Sequence, residues 1–314
     1  MENNLNNPKY TSEQIVADDE IDLRELFKVI WQGKWVVIVI TALFAAASVF
    51  YAINQPNIYK SEVLLAPAEE QKNSGLAGQL GGLASLAGVN IGGGSSNKSQ
   101  LAIEVLKSRN FISEFIKKHD ILVDLMAAKE WDSKSNQVVY NKDLYNFDSK
   151  KWVRKVNAPF EPKPSMQEAY KVFIGKSQFI SNEDSGMLVV SFEHVSPFIA
   201  QQWVSWLVED INEVMKKRDV AEAQRSSEFL ENQLKKTRIA DIRVVLYKLI
   251  EEQTKTIMFA NVRDEYVFKT IDPAIVPEQK SKPARAMICI LGTMLGGMLS
   301  VLIVFVRYFT KRKY

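Results

Sequence analysis

The sequence is poor in the residues that most often carry out chemistry. Its only cysteine is Cys289, and its only histidines are His119 and His194. A single cysteine excludes an intrachain disulfide, so the stability of the chain has to come from packing and assembly. Neither histidine has a metal-ligand spacing such as His-Glu-x-x-His, so we expect no metal site and predict that both histidines lie at a surface or an edge.

Other catalytic signatures are also missing. The chain has no Gly-x-x-x-x-Gly-Lys-Ser/Thr phosphate loop and no Gly-x-Ser-x-Gly elbow. The adjacent carboxylates Glu209 and Asp210, like Glu251 and Glu252, point apart on a helix and are predicted to be solvated. The sequence therefore predicts no enzyme, no catalytic residue and no cofactor. A net charge of +3 is too small to indicate a nucleic-acid partner.

Two long apolar runs without charge are the dominant positive feature. They cover residues 35–53 and 287–306, and each is long enough as a helix to cross a lipid bilayer. The first run could alternatively be a cleaved signal peptide with Ala45 to Ala47 as its cleavage site. The acidic segment before it and the apolar residues that continue to Ile53 favour an uncleaved anchor.

Basic residues near these runs predict their orientation. Lys28 and Lys34 precede the first run, and Arg307 and residues 311–313 follow the second, which places both termini in the cytoplasm. Lys280, Lys282 and Arg285, which precede the second run, weigh mildly against this orientation. The prediction is an inner-membrane protein with cytoplasmic tails at 1–34 and 307–314 and a periplasmic domain at 54–286.

The first part of the periplasmic domain has a mixed pattern. Residues 59–65 alternate as a strand, residues 75–94 are rich in glycine and predict a mobile loop, and residues 102–116 predict one amphipathic helix. A short strand is predicted around residues 138–140.

Capping and turn signals define the next elements. Ser165 and Glu168 form a capping box that starts a helix, and residues 178–180 and 188–192 form a hairpin around the turn 182–186. Ser196 and Pro197 are an N-cap and a first helical residue. A last strand is predicted at residues 266–271.

A long helical arm is predicted at residues 197–263, with room for one break. It is too long for a compact domain of this size and must project or bend. Its narrow apolar stripe is typical of packing between helices, within one subunit or between subunits. The residues predicted to provide this packing are Leu230, Leu234, Ile242, Leu246 and Leu249.

Prolines and glycines mark the return to the membrane. Pro273, Pro277 and Pro283 lie in the segment 273–283 and force an extended approach. Gly292, Gly296 and Gly297 are predicted to let another membrane helix approach closely, against the alternative of a plain span. The predicted fold class is thus an α/β membrane-proximal periplasmic domain, with its base at 54–196 and 264–272 and a long extended helical arm, flanked by two transmembrane helices.

The order of these features resembles the Wzz-type chain-length determinants, the polysaccharide co-polymerases of Gram-negative bacteria. Similar features are the block from Asp18 to Trp31, Tyr59 on the first strand, residues 106–109, residues 191–200, and the proline-rich approach to Gly292 and Gly296. One departure is the order Ser281-Lys282-Pro283, where the family usually has Ser-Pro-Lys.

The resemblance implies a ring-shaped homo-oligomer that controls the length of O-antigen or a related polysaccharide. Its implied partners are other copies of the chain, the Wzy-type polymerase, the polysaccharide and the lipid bilayer. An alternative is a capsule or exopolysaccharide co-polymerase that works with a separate tyrosine kinase. Less favoured alternatives are a sensor, which needs a cytoplasmic output domain, an efflux adaptor and a periplasmic enzyme.

Overall fold

The computed structural model describes residues 23–68, 94–182 and 185–312. The chain forms two compact units, one made of Met1–Gln55 with Ala284–Tyr314 and the other of Pro56–Pro283. Most of the glycine-rich segment that we predicted to be a mobile loop lies at residues 69–93, outside the described residues.

The described residues of the first unit form helices. These are α1 (Leu23–Gln32), α2 (Lys34–Asn54) and α9 (Arg285–Arg312). Helices α2 and α9 are long and apolar enough to cross a membrane, and most of their bulky apolar side chains are exposed, unlike those of a soluble core helix. The two predicted apolar runs are confirmed as helices.

A four-stranded antiparallel sheet forms the base of the other unit. Its strands are β1 (Tyr59–Pro67), β6 (Ser177–Ser181), β7 (Leu188–His194) and β8 (Phe268–Asp272), in the order β6-β7-β1-β8. Alternate residues of β1 are buried, as the sequence pattern predicts, and Leu65 lies opposite Leu188. The predicted hairpin is confirmed, and Gly186 in its turn has a φ of +67°, a conformation that favours glycine.

Helices pack on this sheet around one hydrophobic core. They are α3 (Gly94–Lys107), α4 (Arg109–Lys118), α5 (Leu122–Ala127), α6 (Met166–Lys176) and the first part of α7 (Pro197–Lys236). The largest fully buried side chains include Phe115, Phe173, Phe192 and Trp203. Our prediction of one helix at 102–116 is wrong, because Ser108 ends α3 and caps α4 by accepting a hydrogen bond from the Phe111 amide.

Two short antiparallel pairs lie between α5 and α6. The first joins β2 (Ala128–Asp132) to β3 (Gln137–Tyr140), and the second joins β4 (Tyr145–Asn146) to β5 (Lys151–Trp152). The predicted strand at residues 138–140 is confirmed as β3. The capping box at Ser165 and the N-cap at Ser196 are also confirmed.

The helical arm contains the predicted break. Helix α7 has 40 residues, and α8 (Ala240–Val262) begins after a short non-helical segment at 237–239. Helix α8 packs along α7, and Ala260 near its end belongs to the core cluster. The arm therefore bends back on itself as a helical hairpin.

Candidate functional site

Helices α2 and α9 approach each other at two glycines. A Cβ atom on Gly292 would lie 2.5 Å from the Ser48 Cβ, and one on Gly296 would lie 2.5 Å from the Phe44 Cβ. Both distances are too short for any larger residue unless the helices move apart. Gly297, which we grouped with them, would meet nothing within 4 Å in the described residues. The geometry brings two of the three predicted glycines to the helix contact.

Both ends of the helix pair have further contacts. At one end, a Cβ on Gly33 would lie 2.6 Å from Val304. At the other, the Arg285 guanidinium donates hydrogen bonds to the carbonyls of Ala52 and Gln55. These carbonyls lie at the end of α2, where no helical amide is available to them, so the arginine satisfies the C-terminus of this helix.

The proline-containing segment runs beside the start of β1. Lys282 forms a backbone bridge with Ile58, and Ser61 Oγ donates to the Ile275 carbonyl at 2.8 Å. Lys282 also lies 2.7 Å from a Glu193 carboxylate oxygen. Pro273, Pro277 and Pro283 lie outside helices and strands in this segment. Because proline has no amide hydrogen and a fixed φ, it favours such an extended path.

The predicted stripe on the arm contributes to the hairpin itself. Leu230, Leu234, Leu246 and Leu249 are half-buried, and Ile242 is exposed. Leu230 and Leu249 also line a groove of about 700 Å³ between α7 and α8.

Several apolar side chains of the hairpin, including Ile242 of the predicted stripe, are exposed in the single chain: Phe229, Ile239, Ile242, Val244, Val245, Tyr247, Met258 and Val262. Soluble monomers rarely expose many large apolar side chains close together, and such surfaces usually bind another protein. These exposed side chains lie on more than one side of the hairpin and are candidates for association with another protein.

His194 is buried, which contradicts our surface prediction. It is 1% exposed; its Nδ1 accepts from the Ser196 amide, and its Nε2 lies 3.1 Å from the Asp124 carbonyl. These partners require the neutral ring with a proton on Nε2. Burial lowers the pKa of His194 to about 4, because the charged ring would lose its water. His194 thus joins the end of β7 to α5.

His119 and Asp210 are also less exposed than we predicted. Asp210 is 6% exposed, and its carboxylate lies 2.9 Å from His119 Nε2 and 2.7 Å from Lys118 Nζ. The His119 ring stacks on Trp206 at 4.2 Å. The solvated-face prediction is therefore wrong for Asp210. The sequence contained a signal for this burial, because Asp210 lies three residues after Leu207 and therefore on the apolar face of α7.

This cluster is a structural joint between α4 and α7. Hydrogen bonds and charge from Asp210 and Glu213 raise the pKa of Lys118, and Lys217 and Lys118 lower the pKa of Glu213 to about 2. The described residues contain no group of three or more side chains that could hold a metal ion. The arrangement fixes the end of α4 against α7.

Comparisons with known proteins agree with this picture. The family model "Chain length determinant protein" (Wzz) matches residues 19–119, and the model "G-rich domain on putative tyrosine kinase" matches residues 240–309. No curated protein sequence matches the chain.

Two solved structures are similar to the chain. A "full-length bacterial polysaccharide co-polymerase" has 15% identity and a TM-score of 0.39, over 93% of this chain and 99% of that one. A fragment of WzzB, a polysaccharide co-polymerase from Salmonella Typhimurium, has 12% identity and a TM-score of 0.26, over 72% of this chain and all of that one.

The Wzz match includes α2, β1 and helices α3 and α4, and thus combines one candidate membrane span with the first strand and helices of the base. Residues 19–119 are therefore similar to the Wzz chain length determinant family.

Proposed function

We propose that this chain is a non-catalytic co-polymerase that sets the length of O-antigen polysaccharide together with a Wzy-type polymerase. The observation that carries the proposal is the chain length determinant match over residues 19–119. In this proposal α2 and α9 anchor the protein in the inner membrane, both termini are cytoplasmic, and residues 54–286 lie in the periplasm.

The exposed apolar side chains of the helical hairpin support a homo-oligomer. Val244 and Val245 are both about half exposed on α8, so their complete burial between copies would contribute about 1 kcal/mol for each side chain. An oligomer of the periplasmic unit would present repeated surfaces to the polymerase and the growing polysaccharide. Length control then depends on assembly geometry and requires no reaction in this chain.

Deletion of the gene, followed by gel electrophoresis of lipopolysaccharide, tests the function. We expect the preferred chain length to disappear and to return when the wild-type gene is supplied on a plasmid. An unchanged ladder in the deletion strain would contradict the proposal.

The role of the exposed apolar side chains in association is tested separately with a charged substitution. Val245→Glu should lower the oligomer mass measured in detergent and fail to restore the length distribution. Lys248→Glu, an exposed change on the same helix, is the matched control and should behave as wild type. A wild-type protein that is strictly monomeric at all concentrations would contradict the oligomer.

The second family match favours one other candidate. Residues 240–309 are similar to a domain named for putative tyrosine kinases, which supports a capsule or exopolysaccharide co-polymerase that works with a separate kinase. If this candidate is correct, deletion should change capsule or exopolysaccharide size and leave the lipopolysaccharide ladder intact. A kinase should then copurify with the full-length chain.

A further inference from the structure

Helix α1 has an apolar flank that the described part of the chain does not cover. Phe27 is 67% exposed and Trp31 is 63% exposed, whereas Val29 is 5% exposed. The Phe27 and Trp31 rings stack with their centres 6.1 Å apart. Helix α1 packs against α9. One side of α1 is therefore fixed within the unit, and its aromatic side remains open.

The position of this flank in the chain limits what can cover it. Trp31 lies four residues before Trp35, which is at most about 6 Å along a helix axis. The headgroup layer on each side of a bilayer is about 5–7 Å thick. If α2 spans the membrane from Trp35, then Trp31 lies at the depth of the lipid headgroups.

Phe27 is four residues further away and reaches lipid only if α1 inclines toward the bilayer surface. The chain can change direction at Gly33, whose φ of −89° and ψ of 7° depart from helical values between α1 and α2. A larger residue at this position would contact Val304, so glycine also permits the close approach of α9.

The residues next to the aromatic pair suit a helix that lies on a membrane. Lys28 and Gln32 are exposed and are rotated by about 100° from Phe27 and Trp31 on the helix. Lys34 Nζ lies 5.1 Å from the centre of the Trp31 ring. A polar face beside an apolar face that carries Trp and Phe is the pattern of an interfacial helix, and Trp is enriched at this depth.

We propose that α1 is an interfacial helix that inserts Phe27 and Trp31 into the boundary between lipid headgroups and acyl chains. The lipid bilayer is its binding partner, and the aromatic pair acts as an in-plane anchor before the first span. The proposal rests on the assignment of α2 and α9 to the membrane and is independent of the polysaccharide that the protein serves.

Spin labels on the full-length chain test the proposal. In a Cys289→Ala background, single cysteines replace Phe27, Lys28, Trp31, Gln32 or Leu43, and each protein is labelled and placed in nanodiscs of phosphatidylethanolamine and phosphatidylglycerol. The measured quantity is the collision rate of the label with oxygen, which concentrates in lipid, relative to a water-soluble nickel complex. All five side chains are exposed, so the substitutions should leave the fold intact, which circular dichroism checks.

We expect the oxygen-to-nickel ratio to be at least roughly threefold higher at 27 and 31 than at the control positions 28 and 32. A high ratio at 31 with a low ratio at 27 would overturn the in-plane helix, and low ratios at both would overturn lipid contact altogether. Position 43 lies in α2 and reports on the span itself. A low ratio there would refute the membrane assignment, whereas a high ratio at 43 with low ratios at 27 and 31 would refute only the inference about α1.

Discussion

The side-chain amide of Asn212 pairs with the backbone of Phe268 in both directions. Its Oδ1 accepts from the Phe268 amide at 3.0 Å, and its Nδ2 donates to the Phe268 carbonyl at 3.1 Å. The same Oδ1 accepts from the Val267 amide at 2.7 Å. All three residues are buried. Asn212 thus forms the kind of hydrogen bonds that a neighbouring strand would form, and it attaches β8 to α7.

Replacement of Asn212 by Leu should destabilise the unit formed by residues 56–283. The amides of Val267 and Phe268 would lose their partner in a buried position, and each such loss costs about 1–3 kcal/mol. We expect the free energy of unfolding, measured by denaturant titration of the full chain in detergent, to fall by about 3 kcal/mol. Asn232→Leu, at an exposed position of the same helix, is the control and should change little. Equal stabilities for the two variants would contradict this role.

The buried His194 should make the fold sensitive to mild acid. Its pKa in the folded chain is about 4, whereas an unfolded histidine has a pKa of about 6.5. Between these values the unfolded state binds more protons, so stability falls as the pH drops from about 6.5 toward 4, by at most about 3 kcal/mol in total. Above pH 6.5 the contribution is constant. Thermal unfolding of the full chain at pH 7.5, 6.0 and 5.0 measures this trend.

His194→Gln is the matched variant for this prediction. A glutamine amide accepts and donates hydrogen bonds as the neutral ring does, but it does not titrate. We expect its stability to vary less between pH 7.5 and 5.0 than that of the wild type. If both proteins lose stability in parallel over this range, another group is responsible.

Arg154 fixes the loop before α6. It forms a two-point contact with Glu168 at 2.7 and 2.9 Å and donates to the carbonyls of Glu161 and Pro162. The arginine, with the Ser165 amide, lowers the pKa of Glu168 to about 2. Because Glu168 also closes the capping box of α6, Glu168→Ala should lower the free energy of unfolding by about 1–2 kcal/mol.

Glu114→Ala provides the comparison for this ion pair. Glu114 contacts Lys117 three residues away, and both side chains are largely exposed, so its loss should cost less than about 0.5 kcal/mol. Chemical denaturation of both variants measures the difference. A Glu168 variant as stable as the Glu114 variant would show that the loop does not depend on Arg154.

The glycine contacts predict that larger residues at Gly292 and Gly296 weaken the packing of α2 against α9, whereas a larger residue at Gly297 does not. Gly292→Ala and Gly296→Ala place a methyl group 2.5 Å from Ser48 and Phe44 respectively, so the helices must separate and lose packing. Gly297→Ala places its methyl where no described residue lies within 4 Å and is the control. Thermal stability of the full chain, followed by size-exclusion chromatography in detergent, should fall only for the first two. A loss for Gly297→Ala of the same size would contradict the described helix contact.

Local signals in the sequence were sufficient to predict several secondary-structure elements. The alternation in β1, the capping box at Ser165 and the Ser196-Pro197 start of α7 each act over a few residues, so the pattern and the structure agree. The sequence also predicted that the arm could contain one break, but it did not predict where. Its position at 237–239 depends on how α8 packs back on α7, which involves distant residues.

The errors concern features that depend on tertiary contacts. Ser108 ends a helix inside a continuous apolar pattern, and the sequence alone does not show that its hydroxyl caps α4. His194 is buried because β7 and α5 meet, and Asp210 is buried because His119, 91 residues away, lies beside it. The sequence shows that Gly292, Gly296 and Gly297 lie near one another, but only the helix geometry shows that Gly297 does not face α2.

The antiparallel bridge between Ile58 and Lys282 brings together the two ends of the unit formed by Pro56–Pro283. Because the two ends of the unit lie side by side, the α7–α8 hairpin can become longer or shorter at its tip without changing the distance between those ends. A change in the length of this hairpin therefore requires no change at the junction between the two ends.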